Sequence, residues 1–157
     1  MILWFVATSV GSVWYVFRDP RFDHRLLIVG ALLPDVVDAP FGGAGVAHSL
    51  TAGVALLIGI MLATPGRKPI RRLLLALPIG VLLHLVFDGA FANTEVFWWP
   101  FSGTLGDDPL PVVARGWWNV PLELGGAVMV WIGWRRAGLS DPERRRAFLR
   151  SGTLSFD

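Results

Sequence analysis

Apolar residues fall in five runs along the chain, at 2–17, 26–33, 46–64, 73–87 and 120–134. The first run carries no charge. The third holds one ionisable group, His48, the fourth holds His84, and the fifth holds Glu123. A helix that crosses a bilayer needs roughly 20 apolar residues, with about 17 as the lower bound. The 46–64 run meets that requirement, and the others meet it where their polar residues face a bundle interior instead of lipid. The 26–33 run is a half-span that Pro34 kinks or ends. The pattern predicts an all-α chain, a polytopic membrane helix bundle of about five helices forming one domain over residues 1–157, with no internal repeat.

Composition strengthens this expectation. Of the 157 residues, 54% are hydrophobic and 17% charged, whereas a soluble domain carries about 25% charge. Mean hydropathy is +0.55, high enough to exclude a disordered chain. The 8 Trp and 10 Phe suit the aromatic belts found at membrane–water interfaces. There is no Cys, so disulfides and thiolate metal sites are excluded.

Charge adds an orientation. Arg18, Arg21 and Arg25 lie in the first connection, Arg67, Lys68, Arg71 and Arg72 in the third, and Arg135, Arg136, Arg144, Arg145, Arg146 and Arg150 after the last run. Only Arg115 lies elsewhere. Cytoplasmic loops are enriched in Lys and Arg, so the amino terminus is expected outside and the carboxyl terminus inside. Residues 134–157 then form a basic cytoplasmic tail. The 2–17 run lacks a preceding basic region, which favours a retained helix over a signal peptide. A juxtamembrane Arg cluster meeting anionic lipid accounts for Arg144–Arg146 without nucleic acid. His24 is expected to be solvated in the first connection.

This topology puts the acids and histidines at one depth. Asp35 and Asp38 end the second helix, His48 begins the third, His84 and Asp88 lie in the outer half of the fourth, and Glu123 lies in the first turns of the fifth. A lone acid near the bilayer centre costs about 2.5–3.5 kcal/mol, so four of them must be interfacial, mutually satisfied or bound to a cation. Asp35 and Asp38 are i, i+3, and His84 and Asp88 are i, i+4, so each pair shares a helix face. Asp35, Asp38, His48, His84 and Asp88 are the candidate ligands of a metal pocket at the outer ends of helices two to four. Imidazole and carboxylate donors suit zinc, manganese or iron.

These residues carry a resemblance. Gly30-Ala31-Leu32-Leu33-Pro34-Asp35-Val36-Val37-Asp38, then Ala47-His48-Ser49-Leu50, then His84-Leu85-Val86-Phe87-Asp88-Gly89 resemble the LLPDxxD, HS and HxxxD motifs of the YdjM-like predicted membrane-bound metal-dependent hydrolases. The stretch Glu95-Val96-Phe97-Trp98-Trp99-Pro100 is similar to that family's aromatic-proline segment. The match covers about residues 17–101. Members often carry a His near the start of the first helix, where this chain has Leu3, Trp4, Phe5 and Val6, which bears on a second metal. More distantly, the carboxylate, His and HxxxD set on bundled helices is similar to zinc-dependent phospholipase C. The resemblance implies hydrolysis of a phosphoester or lipid-like substrate, in the cytoplasmic (inner) membrane of a bacterium or archaeon.

In that chemistry one carboxylate is left free as general base, with Asp38 preferred. Arg115, the one outer-side cation, could clamp an anionic substrate group or meet lipid headgroups. Glu95 and Glu123 are candidates to orient the His ligands or close the site. Ser49 and Thr51 fit caps at the start of the third helix. The 93–119 segment, with Trp98, Trp99, Trp117 and Trp118, is an interfacial anchor or a lid that presents a lipid or amphiphile. Two other classes stand beside the hydrolase: a non-catalytic membrane protein with a structural metal, and a proton or metal-ion transporter. Against the transporter, the inner halves carry no matching polar layer.

Overall fold

The computed structural model describes residues 1–19, 21–103, 105 and 109–155, and these are all-helical, without a strand. Parts of the 93–119 segment and the last two residues therefore lie outside the described residues. In chain order the helices are α1 (Ile2–Phe17), α2 (His24–Asp38), α3 (Leu50–Ala63), α4 (Lys68–Leu74), α5 (Ala76–Asp88), α6 (Thr94–Phe97), α7 (Pro111–Ala114), α8 (Asn119–Arg136) and α9 (Pro142–Ser151).

Local chemistry moves three of the expected boundaries. Pro34 does not end α2, which continues through Asp38. Its missing N–H forfeits one backbone hydrogen bond, and Pro34 is fully buried in the packed helix. The 46–64 run is broken at Ser49, whose backbone is extended (φ −88, ψ 147) and whose Oγ accepts from Ala52 N at 3.1 Å. A serine in this conformation supplies one of the four acceptors that a helix start lacks. His48 therefore sits in a separate 3-10 turn (Val46–His48), ahead of α3 instead of in its first turn. The fourth run begins earlier than expected, because α4 and α5 are separated only by Leu75.

Among the described residues, Lys68–Asp88 is the one helical stretch long and apolar enough to cross a membrane, with 21 residues at a mean hydropathy of 1.9. Helices α1 and α3 are apolar but shorter. At 1.5 Å per residue the 14 residues of α3 reach about 21 Å, below a hydrocarbon core of about 30 Å.

Helix α2 packs most extensively on α5, and α1 on α8. The α2–α5 crossing depends on glycine. A Cβ at Gly80 would lie 2.3 Å from the Leu27 carbonyl oxygen, and one at Gly30 would lie 2.2 Å from that of Leu77. Two backbones can approach this closely only where neither carries a side chain. At the α1–α8 crossing, a Cβ on Gly126 would lie 2.4 Å from Trp4 N. One turn earlier, Glu123 accepts from Leu3 N at 3.0 Å and Trp4 N at 3.3 Å. Glu123 thus caps the start of α1, satisfying orphan N–H groups with a favourable negative charge.

The opposite end of the bundle gathers the basic connections. Arg72 of α4 pairs with Asp19, which follows α1. Arg25 Nη1 donates to the carbonyls of Leu149 (2.8 Å) and Arg150 (2.9 Å), near the end of α9. His24 is 2% exposed, and its backbone N–H and Nδ1 both approach the Gly152 carbonyl, at 2.8 and 3.2 Å. His24, expected to be solvated, is buried instead. Ala137, Leu139 and Leu154 are buried together against Val10 and Phe148, so the tail has apolar surface to cover and folds back onto α1 and α2. Burial pushes the Asp23 carboxyl up, but hydrogen bonds from the Arg25 guanidinium and from the backbone of Leu26 and Arg25 outweigh it, leaving Asp23 below the ordinary carboxylate value.

Candidate metal centre

The end of α2, the 46–48 turn and the end of α5 bring Asp35, Asp38, His48, His84 and Asp88 together. His48 Nε2 lies 3.4 Å from Asp35 Oδ1 and 4.0 Å from Asp88 Oδ2. His84 Nε2 lies 3.7 Å from the same Asp35 oxygen. One ligand atom from each of Asp35, His48 and His84 falls within 4.8 Å of the others, so these three could hold a metal ion. Donors around a tetrahedral zinc with bonds near 2.0 Å stand about 3.3 Å apart, close to the two shorter distances.

Each imidazole is held by its other nitrogen. His84 Nδ1 lies 2.7 Å from the Ala31 carbonyl oxygen and must be the donor, which in the neutral ring leaves Nε2 with its lone pair. His48 Nδ1 lies 2.6 Å from Asp38 Oδ2. Asp38 also accepts from the backbone N–H groups of Gly45 (2.9 Å), Ala47 (3.4 Å) and His48 (3.2 Å). Expected as a ligand and base, Asp38 stands instead on the far side of the His48 ring with both oxygens engaged. The arrangement is that of a carboxylate orienting a ligand histidine, which fixes the tautomer. Phe5, fully buried, lays its ring on His84 with centroids 4.1 Å apart. It belongs to the segment where the resemblance led one to expect another His, and it supplies packing instead of a donor.

Four buried atoms in this cluster have no hydrogen-bond partner: Asp35 Oδ1, His48 Nε2, His84 Nε2 and Asp88 Oδ2. A buried polar atom left unsatisfied costs about 1–3 kcal/mol, and here four converge. The donor chemistry fits a divalent cation of the zinc class. The side chains of His48, His84 and Asp88 are at most 1% exposed, whereas that of Asp35 is 24% exposed.

Other expected residues stand elsewhere. Arg115, in the turn after α7, is engaged: Nη2 donates to both the Oδ1 and the carbonyl oxygen of Asp88, the latter at 2.6 Å. Glu123 caps α1 and is not among the cluster's partners. Glu95 is exposed on α6. Ser49 caps α3, while Thr51 Oγ1 donates to the Trp99 carbonyl at 2.6 Å and ties α3 to the aromatic segment. Trp98, Trp117 and Trp118 are exposed.

Sequence reasoning missed Phe5, Ala31, Gly45 and the Arg115–Asp88 pair. The glycine-rich stretch from Gly42 to Gly45 is a signal from which a tight turn between Asp38 and His48 could have been read, but nothing flags an alanine carbonyl as the partner of His84. No protein-family model, curated protein or solved structure matches the chain.

Proposed function

We propose that this is a polytopic membrane protein whose His/Asp cluster binds zinc and hydrolyses a phosphoester or lipid-like substrate. The observation that carries the reading is the convergence of three unpartnered buried atoms, Asp35 Oδ1, His48 Nε2 and His84 Nε2, with the unpartnered Asp88 Oδ2 beside them. Asp35, His48 and His84 hold the ion, leaving a fourth position of the kind catalytic zinc sites keep open. Manganese or iron would use the same donors. When bound, such an ion would supply Lewis acidity, activating a water and polarising a phosphoryl oxygen. Asp38 and the Ala31 carbonyl hold the two imidazoles with Nε2 inward, and Phe5 fixes the His84 ring.

The membrane setting is supported by the apolar Lys68–Asp88 stretch and by large apolar side chains exposed on helix faces, among them Val29, Ile58, Leu62, Val86 and Trp131. An exposed apolar exterior of this extent asks for a lipid or protein cover. The Asp19–Arg72 pair and the docking of α9 on α2 gather the basic clusters at one end, which fits a cytoplasmic side there and the metal centre on the outer side.

The test is elemental analysis of protein purified without chelator, paired with hydrolysis of a panel of phospholipids and phosphomonoesters. The reading expects about one zinc per chain and metal-dependent turnover; full turnover by metal-free protein would refute it. The near-complete burial of His48, His84 and Asp88 favours one second reading, a metal that only staples α2, the 46–48 turn and α5. Bound zinc without hydrolysis of any substrate decides for the staple.

A further inference from the structure

Resting on the hydrolase reading, we infer that Asp88 is the group that takes the proton from the attacking water, and that Arg115 is the residue that positions it. The five polar side chains divide by what each atom already does. His48 and His84 each give one nitrogen to an internal partner and turn Nε2 inward. Asp35 Oδ1 lies 3.4 and 3.7 Å from the Nε2 atoms of the two imidazoles, so these three residues would hold a shared ion. Asp38 has both oxygens committed to N–H donors. Asp88 remains, with a different division of labour between its oxygens.

Asp88 Oδ1 is held by Arg115, whose same Nη2 also takes the Asp88 carbonyl oxygen. The carboxylate is thus gripped at its side chain and its main chain, at the end of α5. The grip leaves Oδ2 buried, unpartnered and 4.0 Å from His48 Nε2. That oxygen borders the donor trio without belonging to it, the place of a base reaching a water in the fourth position. Asp88 also shares a helix face with the ligand His84, four residues earlier, so ion and base are set by one rigid element. In phosphoester hydrolysis, one proton of the water passes to Asp88 Oδ2 as the water oxygen bonds to phosphorus. The bond from phosphorus to the leaving oxygen then breaks, and that oxygen takes the proton from Asp88. Arg115 acts through Asp88 and is not the grip on substrate.

The experiment uses the full chain in detergent, with zinc alone as the affinity probe, cobalt(II) as the spectroscopic probe, and a chromogenic phosphodiester together with phospholipids as substrates. Asp88→Asn should keep zinc affinity within about threefold and leave the cobalt spectrum unchanged, while kcat falls about 10²–10⁴-fold, the usual contribution of a general base. Arg115→Gln should lower kcat in the same manner with KM little changed, and Arg115→Lys should recover part of the loss. Because Arg115 acts through Asp88, the double variant should be no slower than Asp88→Asn alone. If Arg115→Gln does not fold, Arg115→Lys in the same cycle with Asp88→Asn carries the comparison. A loss of zinc affinity of about 10–100-fold in Asp88→Asn, the range seen when metal-site groups are removed, makes Asp88 a ligand and overturns the proposal. Arg115→Gln that raises KM alone makes Arg115 a substrate grip and also overturns it. Either result leaves the hydrolase reading standing, whereas wild-type protein that holds no zinc, or holds it without hydrolysing any substrate, removes both.

Discussion

Asp38 Oδ2 lies 2.6 Å from His48 Nδ1, across the imidazole from the Nε2 that faces Asp35. Asp38 therefore has no need to touch an ion to control it. Asp38→Ala frees the His48 ring to turn and releases three backbone N–H groups at 45, 47 and 48. The expected result is a loss of zinc affinity of about 10–100-fold, measured by chelator competition. Unchanged affinity would mean that His48 needs no orienting partner.

Metal binding should appear as stability. An ion that binds only the folded chain stabilises it by about 2.7 kcal/mol at 100 times its Kd. Zinc should raise the thermal midpoint of the wild-type protein, and chelation should reverse the rise. His84→Ala, which removes one of three donors, should abolish the zinc-dependent increase, and should also lower the metal-free midpoint because a buried ring packed on Phe5 is lost. An equal increase in both proteins would place the ion elsewhere.

Gly80 couples packing to the site. A methyl group there meets Leu27 O at 2.3 Å and Ala31 N at 2.7 Å, so Gly80→Ala must push α2 from α5. Overpacking of this kind costs about 1–3 kcal/mol. Ala31 also holds His84 through its carbonyl, so zinc affinity should fall with stability. Gly59→Ala is the control, since a Cβ there meets nothing within 4 Å.

Because the chain has no Cys, single reporters give the orientation. In intact cells an impermeant thiol reagent should label Ser102→Cys, and label Pro65→Cys only after permeabilisation. Both positions are exposed. The reverse pattern would put the metal centre on the cytoplasmic side, and labelling of both without permeabilisation would remove the membrane barrier between them.

Asp23 gives a pH dependence of known sign. Its carboxyl lies below the ordinary value when folded, so it favours the folded state at pH above the unfolded value. That contribution is lost as pH falls through the folded value. Below the ordinary carboxylate range the α9 docking should loosen, seen as faster amide exchange in α9. Asp23→Asn should remove this acid-dependent step; an unchanged step would assign it to another group.

How much of this was legible in the sequence differs by kind. The spacing of Asp35 with Asp38 and of His84 with Asp88 placed each pair on one face, and the order of the apolar runs put His48 near both. Periodicity reports which face a side chain takes, not what waits there. It could not say that Asp38 would turn to Nδ1 of His48, or that Arg115 would meet Asp88 across 27 positions. The partners of His24 and Glu123 were hidden for the same reason: a polar residue beside an apolar run looks alike whether water or a distant backbone satisfies it. Both found partners more than 100 residues away, Gly152 and the start of α1.

The cap that Glu123 places on α1 also has a temporal side. The first helix leaves the ribosome with its leading N–H groups unanswered, and their acceptor arrives 120 positions later. Phe5, which braces His84, rides on that helix. Without α8 that helix end has no Glu123 to accept from Leu3 N and Trp4 N, so the support of His84 by Phe5 depends on a residue far along the chain. An intermediate released before residue 123 would carry every proposed ligand and still lack the support that holds one of them in place.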